Sequence, residues 1–290
     1  MFKLFQIELY KIFRRPRTYI AFGVITGLIT IMQLGLKLDG KAYVEFLMGD
    51  LKAQFDFNGN MLNGYFICYV ILQYLLVQIP LLIALVSADM ISGEANMGTL
   101  RLLLSKPISR TQFLLAKFAA SATYTFILLL WIAALALGLS VLLFGTDDLI
   151  ILKSSYVVQI ENADVFWRYI CTFCFAFLAM LTVTALGFFL SIFAENSIGP
   201  IVTTIGIIVF LTVISTMSIP LYQKIQPYLF TTHMVTWKEF FDAKINDNGI
   251  IAGTIQYPQR LIKASIILGV YIIGFISASI FVFRKKDILS

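Results

Sequence analysis

Long apolar stretches alternate with short charged segments along this chain. Six of these stretches contain no charged residue, and each has close to or more than the ~20 residues that a helix needs to cross a bilayer core. They predict six transmembrane helices, at residues 18–36, 65–88, 118–146, 169–194, 197–219 and 264–283. The pattern therefore predicts an all-α, polytopic membrane protein in which residues 1–290 form a single transmembrane domain.

The positive charges between the spans predict their orientation. Lys and Arg are denser in one set of connecting segments, and they cluster at Arg14, Arg15 and Arg17 before the first span and at "RKK" after the last. Positive charge accumulates on the cytoplasmic side, so both termini are predicted to be cytoplasmic, in a multi-pass protein of the cytoplasmic (inner) membrane. Segment 89–117 is then a cytoplasmic loop, and segment 220–263 is an outer loop.

The N-terminal segment 1–17 has an amphipathic pattern. Its apolar residues share one helical face: Phe2, Phe5, Leu9, Ile12 and Phe13. Its polar residues lie largely opposite: Lys3, Gln6, Lys11 and Arg14. This pattern predicts a helix in the membrane interface with its cations near lipid headgroups, ended by Pro16. Two functions stay open, an anchor that only orients the protein and a surface that also contacts a cytoplasmic partner.

Composition agrees with a membrane protein and excludes several other classes. The chain is 59% hydrophobic and 13% charged, whereas soluble domains have roughly 25% charged residues. Its net charge of +6 comes without a basic patch interleaved with aromatic residues, so we expect no nucleic-acid partner. Cys68, Cys171 and Cys174 lie in apolar runs and are interpreted as small hydrophobic residues. His233 is predicted to be a surface residue of the outer loop rather than a ligand.

No catalytic or metal-binding pattern accompanies the spans. A metalloprotease motif of the H-E-x-x-H type needs two histidines, and this sequence contains one. The predicted spans also lack the acidic pair that an intramembrane aspartyl enzyme needs. We therefore expect that the chain is not an enzyme and holds no cofactor or metal of its own.

The cytoplasmic stretch "ISGEANMGTLRLLLSKPISR" at 91–110 resembles a phosphate-binding loop at first sight. Gly93 and Gly98 have the P-loop spacing, but Thr99 stands where the lysine belongs and Leu100 where the Ser or Thr belongs. Without that lysine the loop lacks the cation that contacts the phosphates. A nucleotide site in this stretch is therefore rejected.

The same stretch has the pattern of two short helices with a break between them. Ser92 is predicted to cap a helix with Glu94 in its first turn, and Gly98 to interrupt it. Pro107 ends this element, and Ser109 with Gln112 forms a capping box that starts the next helix. Apolar side chains suited to docking are Met97, Leu100, Leu103 and Leu104. An ordinary cytoplasmic connector remains the alternative.

The sequence "DMISGEANMGTLRLLLSKPISRTQFLLAKF" resembles the signature between the second and third spans of ABC-2 type transporter permeases. The matching positions are Glu94, Gly98, Thr99, Leu100, Leu104, Pro107, Ser109, Arg110 and Lys117. The resemblance implies that this loop, with Arg101, contacts a separate ATP-binding subunit that carries the ATP and Mg. It also implies a dimer, formed with a second copy or with a sister permease.

The resemblance implies a permease subunit that couples ATP hydrolysis to export, with an unknown substrate and substrate path. In this hypothesis Glu94 and Arg110 hold the shape of the loop or face the ATPase, and the Leu100–Leu104 face docks in its groove. The charge-free spans favour an amphiphilic, lipid-like or peptide cargo over a naked ion. The alternative function is a non-transporting scaffold through which an ATPase does mechanical work on an envelope partner.

Overall fold

The computed structural model describes residues 1–48, 61–100, 108–152, 157–217, 219–245 and 251–286. In this part of the chain the structure is built almost entirely of helices. The long helices are α2 Pro16–Met48, α3 Gly64–Ser87, α5 Arg110–Ala133, α7 Asn162–Ser191, α8 Ile198–Thr216 and α11 Pro258–Lys285. The shorter helices are α1 Phe2–Arg14, α4 Ser92–Asn96, α6 Ser140–Phe144, α9 Pro220–Gln223 and α10 Phe230–Met234.

The long helices have the length and hydropathy of membrane spans. Within the described ranges five helices qualify by themselves: Pro16–Gly40, Arg110–Phe144, Asn162–Ser191, Ile198–Thr216 and Pro258–Lys285. The two halves of α3, Gly64–Leu75 and Val77–Ser87, are bent by 56° and meet the same criteria when they are taken together as a sixth span. These helices confirm the prediction of an all-α, polytopic membrane protein.

Proline explains the bend in α3. Pro80 lacks a backbone N–H, and its ring collides with the carbonyl of the residue four positions earlier, which is residue 76. The two halves of α3 meet at that residue. A second irregularity lies in the third span, where the π-helical turn Ala134–Leu139 joins α5 to α6 in one continuous rod.

Several helices extend beyond the apolar stretches that predicted them. Helix α2 continues past residue 36 to Met48 and is interrupted at Asp39, whose backbone angles are not helical. Helix α7 begins at Asn162 and so includes Arg168, which is fully buried. Hydropathy identifies the part of a helix that lipid can cover, whereas backbone hydrogen bonding continues until a cap or a proline ends it.

The centre of the fold is α7. More than half of its apolar window, 56%, is buried inside the protein, compared with 17–28% for the other unbent spans. Helices α3, α5 and α11 pack around it. Two antiparallel hairpins lie in the connecting segments, formed by strands β1 Leu149–Leu152, β2 Val157–Ile160, β3 Ala243–Ile245 and β4 Ile251–Ile255.

The segment before the last span folds back onto the helices. Trp237 and Phe241 belong to the 3-10 helix Val235–Phe241, and both lie against the ring of Tyr69 at centroid distances of 5.7 and 5.3 Å. The buried guanidinium of Arg168 donates a hydrogen bond of 2.6 Å to the carbonyl of Phe240. This part of the segment is therefore packed as a cap on α3 and α7.

The position of His233 differs from the sequence prediction. His233 is 9% exposed, and its Nε2 lies 2.9 Å from the carbonyl oxygen of Pro227. The prediction of a surface histidine is wrong, because α10 folds against α7, α8 and α11 instead of lying in a free loop. Such a fold-back joins elements that are distant in the sequence, and hydropathy does not reveal it.

Candidate functional site

The short helix α4, at Ser92–Asn96, follows the C-terminal end of α3 after the turn at residues 88–91. Glu94 lies in its first turn, as predicted. Ser92 does not cap the helix, however, because its hydroxyl donates to the carbonyl of Ala88 at 2.8 Å and the N-cap residue is Ile91. The prediction for Ser92 is wrong because its own backbone is already helical, whereas an N-cap residue stands just outside the helix.

Gly98 ends the helical turn that contains Glu94. Its φ of +69° is in the left-handed region, where glycine is the favoured residue, so the predicted interruption is confirmed. The hydroxyl of Thr99 donates to the carbonyl of Glu94 at 3.3 Å and helps to close this turn.

The residues of the predicted docking face differ in their exposure. Met97 is 58% exposed, whereas Leu100 is 5% exposed and packs in the core of its own chain. Arg101, Leu104 and Pro107 lie outside the described residues. In the part that the structure describes, Met97 is thus the apolar side chain of this segment that a partner can reach.

Four charged side chains from α1, α4 and α5 lie in contact with one another. Glu8 and Lys11 come from α1, Glu94 from α4 and Lys117 from α5. The Nζ of Lys117 lies 2.6 Å from Glu8 and 2.8 Å from Glu94, and the Nζ of Lys11 lies 2.8 Å from each of the same two carboxylates. We call these four residues the charge cluster.

Three members of the charge cluster are buried, the side chain of Lys11 is 33% exposed, and the formal charges of the four residues cancel. Lys117 is 1% exposed, Glu94 2% and Glu8 4%. Burial alone would raise the pKa of Glu8, but the ammonium groups of Lys117 and Lys11 hold it below its ordinary value. Burial likewise opposes the charged form of Lys11, yet the carboxylates of Glu8 and Glu94 raise its pKa. Both groups therefore stay ionised at neutral pH, and the cluster clamps three helices together.

A second set of ion pairs joins the start of α2 to the end of α3. Arg15 contacts the carboxylate of Asp89 at 2.7 Å and Arg17 contacts it at 3.3 Å. The sequence marked both arginines as membrane flanks. In the structure they also hold the turn at residues 88–91 that precedes α4.

Sequence reasoning missed Glu8, Lys11 and Asp89 as parts of this site. The amphipathic pattern predicts Lys11 on the polar face of α1 near lipid headgroups, whereas in the structure its Nζ donates to the carboxylate of Glu94 at 2.8 Å. The sequence does contain isolated charges that indicate ion pairs. Glu8 is the single acid in the otherwise basic segment 1–17, and Lys117 is a single cation in an apolar run. An isolated charge in an apolar helix usually has an opposite partner.

Ser109 and Arg110 secure the beginning of the third span. The backbone N–H of Gln112 donates to the hydroxyl of Ser109 at 3.2 Å, so the predicted N-cap is confirmed. Arg110 donates to the carbonyls of Arg284 and Lys286, at 3.1 and 2.9 Å. Arg110 thus caps the C-terminus of α11 and ties it to α5.

Replacing Arg110 with alanine is expected to loosen the end of α11. Charge-assisted hydrogen bonds to two terminal carbonyls are lost, so we expect a destabilisation of about 1–3 kcal/mol. Hydrogen exchange measured by mass spectrometry should accelerate in the last two turns of α11. In Lys285→Ala, the matched control at an exposed cation of the same turn, exchange should stay near wild type. Unchanged exchange in Arg110→Ala would show that the cap is dispensable.

The described residues contain no group of three or more His, Cys, Asp or Glu side chains placed to hold a metal. Cys68, Cys171 and Cys174 have free thiols. The charge cluster pairs its carboxylates with ammonium groups, which makes it a structural clamp and a poor site for a cation.

One known family of membrane proteins matches nearly the whole chain. The family model for ABC-2 family transporter proteins matches residues 3–288. A Bacillus subtilis (strain 168) protein named "Uncharacterized protein YhcI" is 25% identical over 215 residues, covering 70% of this chain and 63% of that relative. Because the family match spans nearly the whole chain, this membrane protein belongs to the ABC-2 family of transporter proteins.

Proposed function

We propose that this chain is the permease subunit of an ABC exporter in the cytoplasmic membrane. In this proposal a separate ATP-binding subunit holds ATP and Mg and docks on the segment around α4, and a second copy or a sister permease completes the translocation path. Membership of the ABC-2 family supports a membrane subunit that works with an ABC-type ATP-binding subunit. The observation that carries the proposal is the buried charge cluster.

The charge cluster gives α4 a stiff connection to the membrane helices. Glu94 on α4 is held by Lys117 on α5 and by Lys11 on α1. The rod Arg110–Phe144 that carries Lys117 has 35 residues and is therefore about 50 Å long. A displacement of α4 by a cytoplasmic partner would move this rod, since breaking a buried ion pair costs several kcal/mol. Motion of a soluble ATPase can thus reach the bilayer.

Exposed residues next to the clamp offer the docking contact. Asn96, Met97 and Gly98 are exposed, while Glu94 and Leu100 are buried. A methionine adapts to the shape of an apolar groove on a partner. In the proposed complex the buried residues transmit force, and Met97 makes the contact.

Replacing Met97 with aspartate tests the docking contact. The full-length chain would be co-expressed with a Walker-type ATPase encoded beside it, and the ATPase recovered with the purified chain would be measured together with its activity. Burying a carboxylate in an apolar contact costs several kcal/mol, so we expect at least about a tenfold loss of recovered ATPase. The thermal stability of the isolated chain should not change, because Met97 is exposed.

Asn96→Asp is the matched control, since Asn96 is the neighbouring exposed residue and already polar. It should retain more ATPase than Met97→Asp. Full recovery and activity with Met97→Asp would overturn the docking contact, and failure to recover any Walker-type ATPase with the wild-type chain would overturn the proposed function. An ATPase that binds and hydrolyses ATP without releasing cargo would favour the scaffold alternative.

A further inference from the structure

Two irregular membrane helices enclose a groove that the coupling function does not use. Helix α2 is interrupted at Asp39, and α3 is bent by 56° at residue 76. The cavity between them has a volume of about 470 Å³. A second cavity of about 370 Å³ shares Tyr43, Val70 and Tyr74 with the first. Pockets for small molecules commonly have volumes of about 300–1,000 Å³.

The larger cavity, which we call the α2–α3 groove, is mainly apolar along its length. It extends over α2 from Leu28 to Asp39, which is about 16 Å of helix. Its apolar lining is formed by Leu28, Met32, Leu36, Val70 and Leu75. A groove of this length and lining fits an extended hydrocarbon chain.

Two polar side chains of the α2–α3 groove, Asp39 and Gln78, have no partner among the described residues. Asp39 is exposed, and its carboxylate has no hydrogen bond or ion pair among the described residues. The amide of Gln78 is also without a described partner, although it lies in a membrane helix. The side chains of Tyr43 and Tyr74 also line the groove. An unpartnered polar group in an apolar membrane segment is costly, so Asp39 and Gln78 indicate a ligand with polar groups.

The charge of the groove lining indicates which kind of amphiphile would bind. Asp39 is the one charged residue among the described residues that line the groove. A ligand with an ammonium group would pair with it, whereas a carboxylate or phosphate would be repelled. We propose that the α2–α3 groove binds a cationic amphiphile, with its hydrocarbon chain along α2 and its amine at Asp39. The inference that this amphiphile is the transported cargo rests on the proposed function. Binding of the amphiphile in the groove does not require the ATPase.

Photolabelling of the full-length chain in nanodiscs tests the groove. The probe is dodecylamine with a photoreactive diazirine in its alkyl chain, and labelled residues are mapped by mass spectrometry without any ATPase present. We expect labels on the groove residues of α2 and α3, competed by dodecylamine but not by dodecanol or dodecanoate. Asp39→Asn should lower this labelling about fivefold, which corresponds to one ion pair near a surface.

Two control variants separate binding in the groove from general partitioning. Glu161→Gln removes an exposed acid elsewhere and should leave labelling unchanged. Met32→Trp fills the groove and should abolish labelling even though Asp39 is kept. Labelling that is equally strong on the exposed apolar residues Val209 and Phe210 of α8 would overturn the proposal.

Three further outcomes decide against the groove. Equal competition by dodecanoate would overturn the role of charge, and unchanged labelling in Asp39→Asn would do the same. Efficient disulfide formation between two copies of Gly35→Cys would show that a second copy covers the groove, which would also overturn the proposal. Groove labelling in a chain that recruits no ATPase would leave this site standing while removing the proposed function.

Discussion

Lys117→Met is expected to lower the free energy of unfolding by about 3–5 kcal/mol. The substitution keeps the side chain as far as its Cε position but removes the ammonium group. Among the described residues, Lys11 is then the one cation left beside the carboxylates of Glu8 and Glu94, which are 4% and 2% exposed. It also removes the hydrogen bond of 3.2 Å from Lys117 to the carbonyl of Met90. Chemical denaturation in mixed micelles, followed by circular dichroism, measures the loss.

A double substitution separates the effect of charge from that of shape. Lys117→Met combined with Glu94→Gln returns the charge cluster to neutrality and should recover part of the lost stability. Lys3→Met removes an exposed cation of α1 and should change stability by less than about 0.5 kcal/mol. If Lys117→Met were as stable as Lys3→Met, the cluster would not be the clamp that joins α1, α4 and α5.

Gly64→Ala is the second substitution for which we expect a large loss of stability. A Cβ atom at Gly64 would lie 2.5 Å from the Cα and 2.6 Å from the backbone nitrogen of Val141. The backbone N–H of Gly64 also donates to the carbonyl of Gly145 at 2.9 Å, so the two segments are held in close contact. Because backbone atoms cannot rotate away as a side chain does, we expect a cost of at least about 1–3 kcal/mol.

Gly27→Ala is the matched control for Gly64→Ala. Gly27 lies inside α2, and a Cβ atom there would meet nothing within 4 Å. Alanine favours a helix interior, so this variant should gain about 0.5–1 kcal/mol. The same denaturation experiment compares the two. Equal stability of both variants would show that α3 and α6 are not packed backbone to backbone at this point.

The long helices were predictable because their signal is local. A bilayer needs an uninterrupted apolar stretch for each span, and each stretch is visible without knowledge of its neighbours. The N-cap at Ser109 and the interruption at Gly98 were predictable for the same reason, since a cap bonds a backbone group three residues away and a left-handed turn favours glycine. The cap of Ser92 was predicted wrongly because helix ends depend on where the preceding turn places the backbone.

The candidate site was only partly predictable. Glu94, Arg110 and Lys117 were recognised through a resemblance, yet the sequence left open whether Glu94 and Arg110 face a partner or hold the loop. In the structure both bind within their own chain: Glu94 pairs with Lys117, and Arg110 caps α11. Leu100 packs in the core, so the exposed contact is reduced to Met97 within the described segment.

The sequence by itself determined the membrane class, the number of long apolar segments, the interruption at Gly98 and the N-cap at Ser109. The tertiary structure alone decided which charges meet. Lys11 and Glu94 are 83 positions apart, and Lys117 and Glu8 are 109 positions apart. Hydropathy and capping act over a few residues, whereas the partner of a charged side chain depends on which helices pack together. The same cations of α1 suit a lipid headgroup or a buried carboxylate. The packing of α1 against α5 sets the position of α1, and in that position Lys11 lies 2.8 Å from Glu94.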